Sequence, residues 1–275
     1  MSQPVKIFIS IDYEGLLGAC SWENEKKEGF LRELELIYDA LREKYYWEQI
    51  EKITVCDAHG KGENINYFDL QKIDSEKTCL ISGPVRNSFM MEGIEGHNMM
   101  FFIGYHAKFG EELSIMDHSY GLNSFYKVRI RGEEVSEAVI NAYFAGEYGV
   151  PLALISGDSG LKKEIKTLAS DLCFIETKEG RGRLNACFHP ISRIKREYER
   201  GLKKIFDDGY RGKLFKIKEG VDLQIDFKST DSAELCALIP GTEKISGYTV
   251  QYYSANYLNI FKFIQSAALI SSYER

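Results

Sequence analysis

VKIFISIDYEG, residues 5–15, is the stretch from which the rest of the chain can be read. Its first seven residues are apolar on both alternating faces, as a parallel strand covered by helices on either side requires. The run then breaks into two carboxylates, Asp12 and Glu14, followed by Gly15. Similar short runs recur at 53–56 (ITVC), 79–82 (CLIS) and Met99–Tyr105 (MMFFIGY), and each ends near polar residues. Helical spacing separates them at 30–44, and again at 136–148, after which Pro151 opens the run PLALIS. Strand, helix and strand in alternation predict an α/β fold, a three-layer α/β/α sandwich on a largely parallel sheet.

Beyond Asp158 the pattern loosens. Ile191–Phe206 reads as a charged helix with Ile191, Ile194, Tyr198, Leu202 and Ile205 on one face. Strand-like runs at 213–217 and Val221–Phe227, a short helix at 232–238, a strand at 248–253 and a terminal helix from Asn256 follow. The expected division is therefore an α/β domain over 1–190, carrying the site, and a smaller α+β portion over 191–275 packing against it.

Composition excludes several classes. With 275 residues, 44% of them hydrophobic and 28% charged, the chain can bury a core, so disorder is ruled out. A net charge of −6 provides no field for phosphate backbones, and no nucleic-acid partner is expected. Ten basic side chains against four acids between residues 193 and 218 interleave at helical spacing, which reads as a solvated surface. The N-terminal apolar run is too short for an export signal, and no apolar run approaches the roughly 20 residues of a membrane-spanning helix. A soluble, cytoplasmic protein with no membrane partner is expected. The six cysteines are scattered and lack a CxxC pair, so most are expected to be reduced, buried thiols.

Chemistry concentrates at the strand ends. Asp12 and Glu14, two apart on an extended chain, point to the same side and can converge on one cation, while Gly15 and Gly18 let the backbone turn closely around it. There are only five histidines, and three stand at comparable places: His59 in CDAHG after the run 53–56, His106 directly after Tyr105, and His118 in MDHS. The C-terminal ends of parallel strands share one edge, so ligands distant in sequence meet there. Mixed carboxylates and imidazoles suit Zn2+, with Mn2+ or Co2+ as substitutes. Asp12, Glu14, His59 and His106 exceed what one catalytic zinc needs, so two ions fit better, with Asp12 able to bridge. Glu137 at a helix start, Asp57, Glu92 and Glu95 all lie near enough to complete the pair, and spacing does not choose among them. His97 and His189 read as structural, Ser10 as a hydrogen-bond donor to the ligand loop without a nucleophile signature, Cys20 as a small packing thiol, and residues 157–160 (GDSG) as a turn.

These residues carry a resemblance across most of the chain: SIDYEG (10–15), DAH (57–59), ISG (81–83), MEG (91–93), GYHA (104–107), MDHS (116–119), SEAVINAYFAGEYGVP (136–151), SGD (156–158), PGTE (240–243) and TVQY (249–252). The set resembles the bacterial zinc D-aminopeptidase family, often encoded with dipeptide transport genes. The resemblance implies that Asp12, Glu14, His59, His106 and Glu137 bind two zinc ions per chain and that His118 is a catalytic residue rather than a ligand. It also implies a homo-oligomer of five-membered rings stacked as a decamer. The match thins between residues 160 and 234, and Gly60 and Asp117 stand where serines are expected.

The activity implied is hydrolysis of the N-terminal amide of short peptides, D-residues included, by a water activated between two zinc ions. His118 would stabilise the oxyanion or pass a proton to the leaving amine. An amino-acid amidase, another two-metal hydrolase such as a phosphoesterase, and a non-catalytic peptide-binding module are the competing readings. A phosphoesterase would want cations near the site, for which only Lys61 and Arg86 are available.

Overall fold

β1 (Val5–Ile11) pairs in parallel with β2 (Ile50–Asp57) on one side and β4 (Met99–Tyr105) on the other, with Ile9 opposite both Val55 and Phe101. The computed structural model that shows this describes residues 4–23 and 27–272. Along the chain, α1 (Glu28–Glu43) links β1 to β2, and α2 (Tyr67–Ile73) leads to β3 (Thr78–Ile81). After β4 come β5 (Phe125–Ile130), β6 (Glu133–Glu134), α3 (Glu137–Glu147), β7 (Leu152–Asp158), α4 (Ser159–Leu168), β8 (Cys173–Gly182), β9 (Asn185–Phe188) and α5 (Ile191–Phe206). β10 (Val221–Phe227), α6 (Thr230–Cys236), β11 (Thr242–Lys244), β12 (Thr249–Ser254) and α7 (Tyr257–Ser271) complete the fold.

The seven-stranded sheet runs β3-β2-β1-β4-β7-β8-β9, parallel except for β9. The chain winds outward from β1 to β3, then returns to the other side of β1 and winds outward again through β4, β7 and β8. That reversal between β1 and β4 opens a crevice at the carboxyl ends of the strands, where α/β proteins bind ligands.

Both faces of the sheet are covered, as the sequence predicts. Ile7, Ile9, Phe101 and Ile103 pack with Leu34 and Ile37 of α1 and with Ile194, Tyr198 and Leu202 of α5. Phe8, Met100 and Phe102 face the opposite core with Val139 and Ile140 of α3 and Phe261 and Ile264 of α7. Beyond that layer lies an antiparallel five-stranded sheet, β11-β12-β10-β5-β6. The charged helix α5 turns its ions outward in pairs such as Lys195 with Glu43 and Arg193 with Glu197.

Several expectations change. Sheet membership does not divide the chain after residue 190, because β5 and β6 lie before it yet join β10 and β12, while α5 lies after it and packs on α1. Residues 213–217 form no strand; Lys213 makes one bridge to Leu152, and Phe215 leaves the surface to pack edge-on against Tyr143. The turn read at 157–160 is a helix start, with the Asp158 carboxylate capping α4 through the Leu161 N–H. All six thiols are free, but only Cys56, Cys173 and Cys236 are buried; Cys79 and Cys187 are exposed. Among the described residues no helix is long and apolar enough to cross a membrane.

Candidate metal centre

The loops leaving β1 and β4 interlock. Gly15 donates its N–H to Gly104 O at 2.7 Å, and a Cβ on Gly15 would fall 2.0 Å from the backbone oxygen of Tyr105. This close approach sets Asp12 and Glu14 against His106. His59 arrives from the loop after β2, which Asp57 shapes by accepting hydrogen bonds from the backbone N–H groups of Asn64 and Ile65. Glu137 is the first residue of α3, and its Oε1 accepts from the Tyr120 N–H.

All six residues singled out in the sequence meet at this edge. His59 Nδ1 lies 3.3 Å from both Asp12 Oδ1 and Glu14 Oε2. His106 Nε2 lies 3.8 Å from Asp12 Oδ2 and 3.6 Å from Glu137 Oε1. His118 Nε2 is 4.0 Å from Glu14 Oε1 and 3.9 Å from Glu137 Oε1. The ligand atoms fall into two compact groups, Asp12–Glu14–His59 and His106–His118–Glu137. Asp12 presents one oxygen to each group.

Surrounding contacts fix these donors. His106 and His118 donate from Nδ1 to the carbonyls of Ala107 and Met116, so each turns its Nε2 lone pair toward the carboxylates. Trp22 Nε1 donates to Glu14 Oε1 at 2.7 Å. Asp57, Glu92 and Glu95 stay outside the cluster; Glu92 instead accepts from the Ser88 N–H. Ser10 donates to Met90 O and shares a hydrogen bond with the Tyr105 hydroxyl rather than holding the ligand loop. His97 bonds Thr54 and Ile94, and His189 bridges Glu176 and Arg193, both as structural residues.

The electrostatics are those of a cluster with too much negative charge for its surroundings. Burial, then the neighbouring Glu14 carboxylate, lifts Asp12 to about 7. Burial lifts Glu137 to about 8. Burial would raise Glu14 too, but His59, His118 and His106 hold it well below the usual carboxylate range. Burial opposes protonation of His59, yet Glu14 and Asp12 outweigh it and raise that imidazole to about 12. Burial and then His118 press His106 down to about 4. Asp12 Oδ2 and His106 Nε2 are buried polar atoms with no hydrogen-bond partner among the described residues, and Glu14 Oε2 meets only the His59 imidazole. Inward-facing orphans of this kind, oxygen and imidazole nitrogen together, match the donor set of a zinc-class cation.

A cavity of about 430 Å³ opens onto the cluster, lined by Asp12, Glu14, His59, His118 and Glu137, and by Arg86. His106 is outside its lining and only 1% exposed. Cys20 does not reach the cavity.

One supporting residue escaped the sequence reading. Lys178 of β8, fully buried, donates its ammonium to the carbonyls of Glu14, Leu16 and Ala19, while Thr177 donates to Gly15 O. Together they pin the turn that carries Glu14. A lysine amid the charges of FIETKEGRG gives no sign of being internal.

Comparison with known proteins agrees with this architecture. A curated D-aminopeptidase from Bacillus subtilis (strain 168) is 28% identical over 285 residues, covering 94% of each chain. A solved structure described as the Zn-dependent D-aminopeptidase DppA from Bacillus subtilis, a self-compartmentalizing protease, superposes with a TM-score of 0.87 at 23% identity, covering 98% of this chain and 99% of that one. The D-aminopeptidase family profile matches residues 5–266, so the chain belongs to the D-aminopeptidase family.

Proposed function

We propose that the protein is a zinc-dependent aminopeptidase that hydrolyses the N-terminal amide of short peptides, D-residues included. The observation that carries this reading is the set of three carboxylates and three imidazoles at the sheet's switch point, buried except for the partly exposed His59 and His118, with partnerless oxygen and nitrogen atoms turned inward beside a cavity. The D-aminopeptidase activity of the Bacillus subtilis relatives supports the same reading.

In this reading Asp12, Glu14 and His59 would hold one ion and His106 and Glu137 a second, Asp12 presenting one oxygen to each group. Zinc bound there supplies Lewis acidity and makes water a usable nucleophile near neutral pH. The remaining work falls to the chain. Trp22 and the Tyr120 N–H keep Glu14 and Glu137 oriented, which preserves the spacing of the donors. His118 lines the cavity that His106 does not reach, and with His59 assigned to the first ion it is the imidazole left to meet substrate. Its Nε2 lone pair can take up a proton from the attacking water, and the imidazolium so formed can hydrogen-bond the developing oxyanion and pass that proton to the departing amine. The cavity carboxylates offer a partner to the substrate's free amino group.

The self-compartmentalizing relative supports assembly into a homo-oligomer, which sedimentation velocity tests directly. For the reaction, the decisive experiment measures metal per chain by mass spectrometry on protein purified without chelator, beside Asp12→Ala and His106→Ala. About two zinc ions in the parent, fewer in both variants, and faster release from D- than from L-aminoacyl amides are expected. A parent that neither holds nor regains zinc would overturn the proposal.

A further inference from the structure

Arg86 is held at the cavity wall in an unusual way. Its Nη1 donates to Asp57 O, and its Nη2 donates to Ala58 O at 3.3 Å and Gly60 O at 3.0 Å, the carbonyls on either side of His59. Gly62 makes room for it: a Cβ there would fall 1.9 Å from Nη1, at a backbone φ of +71°. The guanidinium is half-buried, permanently charged, and has no carboxylate partner among the described residues. It is also the one Lys or Arg side chain lining the cavity among the described residues; Lys61 is exposed and outside the lining.

The cavity thus has two unlike ends. The metal-binding donor cluster occupies one, and a fixed cation matched by no anion of its own occupies the other. A peptide with both termini free has an amine for the first and a carboxylate for the second. Resting on the aminopeptidase reading above, we infer that Arg86 binds the C-terminal carboxylate of the substrate and so selects short peptides with a free C-terminus over amides. Arg86 grips the carbonyls flanking His59 and shares the cavity with the cluster, so the carboxylate it takes belongs to a short peptide whose two ends fit one cavity. A charge-assisted hydrogen bond in such a partly desolvated place discriminates roughly 10- to 100-fold.

The test compares D-alanyl-glycine with D-alanyl-glycinamide on the zinc-loaded protein, its Arg86→Gln variant and its Arg86→Lys variant. The parent is expected to favour the free acid roughly 10- to 100-fold in kcat/KM, mainly through KM. Arg86→Gln should abolish that preference, lowering the acid's kcat/KM roughly 10- to 100-fold more than the amide's, and Arg86→Lys should restore part of it. Equal treatment of acid and amide by the parent overturns the inference, and so does an equal loss for both substrates in Arg86→Gln, which would leave Arg86 as a clamp on the His59 loop. Calorimetric binding of the same two compounds separates this inference from the reaction: if neither is hydrolysed, the aminopeptidase reading falls, while tighter binding of the acid by the parent alone still upholds Arg86.

Discussion

The rings of His106 and His118 lie stacked, centroids 4.3 Å apart and 7° from parallel, yet only His118 faces the cavity. Both anchor Nδ1 on a backbone carbonyl, so the two imidazoles offer the same atom to different surroundings. His118→Ala is expected to lower kcat by about 10²- to 10⁴-fold, the range of a positioned acid or base, while zinc content stays near that of the parent. His106→Ala should lose both. Mass spectrometry with steady-state kinetics decides it, and loss of zinc from His118→Ala would make that residue a ligand.

Metal uptake should release protons. Asp12 and Glu137, raised by burial to about 7 and about 8, retain protons near neutrality when no cation is present, and His59, raised to about 12, holds one between its two carboxylates. A cation must displace them. Zinc titrations at pH 7 in buffers of different ionisation enthalpy are expected to report roughly two protons released per chain, with affinity falling as pH is lowered from 8 to 6. Release of only one would mean that the carboxylates are already ionised, and release of none that His59 is unprotonated as well.

The strand ends were readable because β1, β2 and β4 are apolar on both faces and finish on the residues that matter. Asp12, Glu14, His59 and His106 follow from that pattern alone. Glu137 did not, since a glutamate in the first turn of a helix has an ordinary reason to be there. β8 escaped because FIETKEG carries its charge inward at Lys178, contrary to the usual rule for lysine. β5 escaped because it lies far in sequence from β10, its main partner, and a single alternating run of six residues says nothing about which sheet it will join.

Gly15 and Gly18 should respond to alanine for different reasons. A methyl at Gly15 collides with the backbone of Gly104 and Tyr105, which cannot yield without moving β4, whereas Gly18 has open space but sits at φ +76°. Gly15→Ala is expected to cost about 1–3 kcal/mol as overpacking and to reduce zinc affinity by displacing Glu14. Gly18→Ala should cost about 1 kcal/mol, from backbone strain alone, with affinity little changed. Urea denaturation and zinc titration of the two variants separate these effects; equal losses of affinity would show that turn strain, not the contact with β4, sets Glu14.

Lys178 sets a pH dependence with a definite sign. Burial lowers its ammonium from the ordinary 10.5 to about 8, against the pull of Asp158, Glu33 and Glu14. Between those values the unfolded chain binds a proton that the folded chain does not, so this residue makes stability rise with pH across the window and contributes no slope below it. At about 1.4 kcal/mol per pKa unit the rise approaches about 3 kcal/mol. Lys178→Met should be less stable than the parent at every pH, because three carbonyls lose their donor, and it should lack the rise between pH 8 and 10.5. Urea midpoints of both proteins at pH 7.5, 9 and 10 read the difference directly. Parallel curves would mean that the three carbonyls hold the ammonium at its ordinary value despite burial, and that the Glu14 turn is pinned by a charge insensitive to pH.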